Sequence, residues 1–143
     1  MLIDSMIGLI ILAMGATTFY SLFPVISRAH VIGDQEQKAT QISTKMLEHL
    51  QLLSPTKLTA TNLSGMQLID ANQVASPYTF NNCPLDNSTD FSPARALKSG
   101  KGTLTINDLA YGSKQVVVTI TWKSVSGKTE TFTCGTIVGS YRS

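Results

Sequence analysis

Hydrophobic and polar positions follow three different rhythms along this chain. From Ser5 to Phe23 almost every residue is apolar, and between Met1 and Ser27 the only formally charged side chain is Asp4. A helix needs about 20 apolar residues to cross the hydrocarbon core of a bilayer, and this run is that long. It carries too little polar face to sit as an amphipathic helix on a soluble domain. After Pro24, apolar residues recur at Val25, Ala29, Ile32, Ala39, Ile42, Met46, Leu50 and Leu53. Steps of three, four and one seven put them on a single helical face. Asp34, Gln35, Glu36, Gln37, Lys38, Gln41, Lys45 and Glu48 lie between them as a solvated face. Ser54-Pro55 marks the stop, because the residue before a proline is biased out of the helical region. The reading is one long helix, apolar all round over residues 1–24 and amphipathic over residues 25–54.

From Pro55 to about Gly102 no period holds. Ser, Thr, Asn and Pro dominate, and Ser76-Pro77, Cys83-Pro84 and Ser92-Pro93 mark turns. Met66-Gln67-Leu68-Ile69 and Tyr78-Thr79-Phe80 read as brief strands or loop anchors. Residues 55–101 are therefore a variable loop region, and a loop that long is uncommon unless it is functional or tied down. The period then becomes two. Gly102–Leu109 alternates, and Gln115–Lys123 alternates with Val116, Val118, Ile120 and Trp122 on one face. Ser124-Val125-Ser126-Gly127-Lys128 is a hairpin turn, and Thr129–Val138 is the returning strand. Residues 102–143 thus predict an antiparallel sheet of at least three strands with one buried face. The amphipathic helix is its natural cover, and with residues 25–101 it completes a globular head. The predicted fold class is α+β.

Composition sharpens this picture. Of 143 residues 43% are hydrophobic and only 14% charged, against about 25% charged in an average soluble domain. The net charge is +2, so neither a disordered chain nor a basic nucleic-acid-binding face is expected. The apolar run lacks the basic leader of a secretory signal, since no Lys or Arg precedes Arg28. A plain single-pass anchor remains open, although Asp4 has no role in one.

Candidate chemistry is thin. His30 and His49 have no evident acidic or cysteine partner and read as surface or interface residues rather than ligands. No nucleophile elbow, phosphate loop or paired carboxylates occur, so no catalytic, cofactor-binding or metal-ligating residue is expected, and no enzyme activity. The two cysteines, Cys83 and Cys134, form an even count behind an anchor. That fits an oxidising compartment and one disulfide, which would close a loop of about fifty residues and contribute about 3–4 kcal/mol. The alternative is two unpaired thiols, one of them buried.

These residues together resemble the type IV pilin and pseudopilin superfamily. Leu2-Ile3-Asp4 is similar to the Leu-Ile-Glu core of the signal that prepilin peptidase reads. The apolar helix, Gly15 and Pro24 continue the likeness. The layout of long helix, variable loop and antiparallel sheet with a disulfide near the C-terminus extends it over the whole chain. The Val-rich strand ending at Trp122 and the Thr-rich strand after Gly127 are more weakly similar to pilins of the PilV and pseudopilin I kind. The chain departs from the pattern in having aspartate for glutamate, and in having three residues rather than four before the acid. The lack of a basic leader then reads as a processed chain.

The resemblance implies a structural subunit of a type IV pilus-like filament. The helix would be held in the inner membrane and then pack with copies of itself in an extracellular filament. Asp4 would pair with the N-terminal amine, here Met1, of a neighbouring subunit and set the register. Helix-capping by Asp4 is the simpler alternative. Gly15 and Pro24 would bracket a stretch, residues 16–23, that unwinds on assembly, with a plain proline kink as the alternative. Implied partners are copies of the chain, prepilin peptidase, the pilus assembly machinery, and surface or host ligands. A minor pilin or periplasmic pseudopilin of a type II secretion or DNA-uptake system would use the same chemistry. A membrane-anchored binding protein that never assembles is a third possibility.

Overall fold

The computed structural model describes residues 2–139. Helix α1 runs over Leu2–Gln51 and is followed by α2 (Ala60–Gly65), β1 (Tyr78–Thr79), α3 (Pro93–Ala96), β2 (Lys101–Asp108), β3 (Lys114–Lys123) and β4 (Thr129–Val138). Short 3-10 turns occupy Pro55–Lys57, Leu85–Asn87, Thr89–Phe91 and Ala110–Gly112. The chain divides into two units, Met1–Asp34 and Gln35–Ser143.

The second unit is α+β: the amphipathic half of α1 and a four-stranded antiparallel sheet of order β1-β2-β3-β4. Ala39, Ile42, Met46 and Leu50 of α1 are buried, as the helical spacing requires. They share one core with Leu104 of β2 and with Val116, Val118, Ile120 and Trp122 of β3. The period-two alternation of β3 therefore marks the face that is buried. The β3–β4 hairpin closes through Ser124 N–H on the Lys128 carbonyl at 2.8 Å and Gly127 N–H on the Ser124 carbonyl at 2.8 Å. Gly127 has φ +81°, the left-handed position that a three-residue hairpin loop needs.

The segment between α1 and β2 is not a loose loop. Leu58, Leu63, Leu68, Ile69, Phe80, Leu85 and Leu97 are all buried in the common core. Tyr78 and Thr79 pair with Leu104 and Thr103, so this segment supplies a fourth, short strand. Met66–Ile69 is a loop anchor rather than a strand, with Leu68 and Ile69 buried and Gln67 at φ +58°. The Phe80 ring lies where a side chain on Gly102 would go: a Cβ there would meet it at 2.5 Å.

The expected disulfide is not formed. Cys83 and Cys134 are free thiols, because Cys83 follows β1 at one edge of the sheet and Cys134 lies on β4 at the other. Cys83 is buried in the segment before β2, with its S–H directed at Asp70 Oδ1 at 3.7 Å. Cys134 lies opposite Val118 of β3, and burial raises its thiol. Burial first, then the charge of Asp70 and its hydrogen bond, push the Cys83 thiol up to about 12. It is therefore a weak nucleophile at neutral pH.

Candidate assembly interface

The first unit is the leading two-thirds of α1, and its apolar side chains are exposed. Relative exposure is 72% at Ile3, 74% at Leu12 and 84% at Tyr20. This helix is long and apolar enough to cross a membrane, with mean hydropathy 1.9 in its best window and none of that window buried. Three of its hydroxyls are turned back onto the helix. Thr17 Oγ1 donates to the Met14 carbonyl at 2.9 Å, and Thr18 Oγ1 reaches the Met14 and Gly15 carbonyls at 2.8 Å each. Ser21 Oγ donates to the Thr18 carbonyl at 2.8 Å. A hydroxyl satisfied in this way can enter an apolar medium without the cost of an unpaired polar group.

Asp4 is exposed in the first turn of α1, where the helix dipole favours negative charge. Met1, its expected partner in a neighbouring copy, lies outside the described residues. Gly15 and Pro24 both lie inside continuous helix. Pro24 has no N–H to offer the Tyr20 carbonyl, so one rung of the ladder is absent there. Phe19, Tyr20, Phe23 and Pro24 form an exposed apolar hollow beside that missing rung.

In the second unit, two polar clusters hold the segment that precedes β2. Asp70 is the first. Its Oδ2 accepts from Thr79 Oγ1 at 2.9 Å and from Asn81 N–H at 2.9 Å, and its Oδ1 accepts from Asn82 N–H at 3.1 Å. Gln73 adds to the cluster, donating from Nε2 to the Asp70 and Thr79 carbonyls at 2.9 and 2.8 Å. Asp70 thus ties the start of the sheet to the chain before it.

Asp86 is the second. Its carboxylate meets Lys45 Nζ at 3.1 Å and His49 Nε2 at 2.8 Å, both on α1. His49 therefore has an acidic partner that its sequence neighbourhood does not show. The turn that presents Asp86 has left-handed backbone at Asp86 (φ +53°) and Asn87 (φ +57°). Hydrogen bonds from Lys45 and then His49 hold the Asp86 carboxyl below its usual range, and Asp86 raises Lys45 in return. A lowered carboxyl stabilises the fold at pH values above its unfolded pKa of 3.8, and that contribution is lost as pH falls through the folded value. We expect the melting temperature of Asp86→Asn to fall less than that of the wild type between pH 5 and pH 2. Equal falls would show that this cluster contributes nothing to the acid response.

Among the described residues no three His, Cys, Asp or Glu side chains converge as a metal site would require. Compared with family models, curated proteins and solved structures, the chain has no match.

Proposed function

We propose that this protein is a structural subunit of a type IV pilus-like filament, held by α1 in the inner membrane and then packed through α1 into the filament core. The observation that carries the reading is an exposed, apolar helical segment with one carboxylate in its first turn and with the hydroxyls of Thr17, Thr18 and Ser21 turned back onto helix carbonyls. A membrane anchor needs only the apolar length. A filament also needs a device that sets the axial register of one helix against the next. A single charge near one end supplies it, because a buried carboxylate is tolerated only where a partner charge meets it. The N-terminal amine of a neighbouring copy is that partner in this reading.

The continuous helix at Gly15 and Pro24 belongs to the single chain. In the assembled state the reading has residues 16–23 unwind, helped by the missing hydrogen bond at Pro24 and by the low helix propensity of Thr17 and Thr18. The weak likeness of β3 and β4 to PilV-type pilins favours the runner-up, a minor pilin or pseudopilin present in few copies. Filaments sheared from the surface of source cells separate the readings by mass spectrometry. A filament subunit is abundant in the sheared fraction, a minor component is present in trace, and a plain anchor stays with the membrane.

A further inference from the structure

β4 is the terminal strand of the sheet, long and exposed along one side, and no described strand pairs with its outer edge. Terminal strands are commonly protected by brevity, proline, lysine or a bulge, because their free N–H and C=O groups template pairing with another chain. β4 spans ten residues, Thr129–Val138, in unbroken register with β3. It has no proline or lysine, and Glu130 is its only charge.

The hairpin closure shows which of its backbone groups are free. Ser124 and Lys128 form the hydrogen-bonded closing pair, and hydrogen-bonded and non-bonded pairs then alternate along an antiparallel ladder. Thr129, Thr131, Thr133, Gly135 and Ile137 therefore point their N–H and C=O groups away from β3. Lys123, the partner of Thr129, bears this out from the other side: its N–H turns away from β4 to the Lys98 carbonyl at 2.9 Å. All five outward residues are exposed.

We propose that this edge pairs with the same edge of a second copy, antiparallel about a two-fold axis at Thr133. In that register Thr129 faces Ile137, Thr131 faces Gly135 and Thr133 faces itself. The five outward N–H groups of each strand then meet the five outward carbonyls of the other. Moving the axis by one residue either way leaves an outward pair beyond the strand. The register also suits the side chains. Glu130 faces Thr136 and Lys128 faces Val138, so no like charges are opposed. Phe132 faces Cys134 on the inner side, and Gly135 leaves room opposite Thr131. The result is one eight-stranded sheet, and it does not rest on the filament reading.

The test uses the full-length chain in detergent micelles and a thiol-to-thiol crosslinker of about 5 Å, matched to the spacing of about 5.5 Å between Cα atoms of a hydrogen-bonded pair. Thr133→Cys reports the two-fold, Val125→Cys at the exposed hairpin loop is the control, and the wild type gives the background of Cys83 and Cys134. Crosslinking within a formed pair is effectively intramolecular, so the Thr133→Cys dimer should exceed both controls by about tenfold or more. Adding Thr131→Pro removes one outward donor while sparing the β3 ladder, since proline is tolerated on an edge. It should return the yield to the control level with the strand signal in circular dichroism unchanged. Equal yields from Thr133→Cys and Val125→Cys, as expected if copies meet only through their apolar helices, would overturn the proposal. So would a Thr133→Cys dimer that Thr131→Pro leaves intact.

Discussion

Asp4→Ala is expected to lower the yield of surface filaments by about a hundredfold or more while leaving the head folded and the chain in the membrane. In the proposed filament the Asp4 carboxylate and a neighbour's N-terminal amine lie among apolar helices. Removing one member of a buried pair leaves the other uncompensated, at a cost of about 3–5 kcal/mol per contact. Every subunit would carry that cost, so assembly fails before a filament is long enough to shear. The head should be untouched, because its buried residues begin at Ala39. Asp4→Glu should restore filaments, since it keeps the charge and lengthens the reach by one methylene. Counting filaments by electron microscopy beside a membrane-fraction blot checks both variants. Unchanged filaments in Asp4→Ala would leave the carboxylate as a helix cap and nothing more.

Asp70→Ala is expected to destabilise the head by about 2–4 kcal/mol, the largest loss we expect from a single polar substitution in this chain. The carboxylate accepts from the Asn81 and Asn82 backbone, the Thr79 hydroxyl and the Cys83 thiol. Hydrogen bonds to a charged group contribute about 1.5–3 kcal/mol each, and water recovers part of that in the variant. Urea unfolding followed by Trp122 fluorescence gives the loss directly. A second readout separates this role from mere packing. Asp70 helps to hold the Cys83 thiol at its raised value, so Asp70→Ala should make that thiol react faster with maleimide in the folded protein. A loss under about 1 kcal/mol would mean that the buried leucines hold the segment without Asp70.

Much of the fold was legible because much of it is periodic. The helical stripe through Ala39, Ile42, Met46 and Leu50 and the alternation through Val116, Val118, Ile120 and Trp122 are patterns of burial. The strands fall within a residue or two of where that alternation places them, and the long helix ends at Gln51, three residues before its expected stop at Ser54. The segment before β2 was not legible in the same way. Its anchors, Leu58, Leu63, Phe80 and Leu85, are buried one at a time at irregular spacing, so no period reveals them. Asp70 and Asp86 act through partners that the folded chain brings to them, and the left-handed turn that aims Asp86 has no glycine to announce it. Cysteine arithmetic misled because a count carries no distance. Cys83 and Cys134 are an even pair in the sequence, yet one follows β1 and the other lies on β4, at opposite edges of the sheet. Of the candidate interface, the apolar run, Asp4 and Pro24 were plain from composition. The hydroxyls of Thr17, Thr18 and Ser21 folded back onto the helix needed coordinates.

A cryo-electron microscopy map of filaments sheared from source cells tests the proposed assembly. Density for this chain is expected at every subunit position, with its apolar helices forming the core. Asp4 should lie within hydrogen-bonding distance of a neighbour's N-terminal amine, and the helix should be unwound between residues 16 and 23. Continuous helix across that stretch would remove the unwinding step alone. Filaments built from another chain, with this one confined to the membrane fraction, would contradict the account.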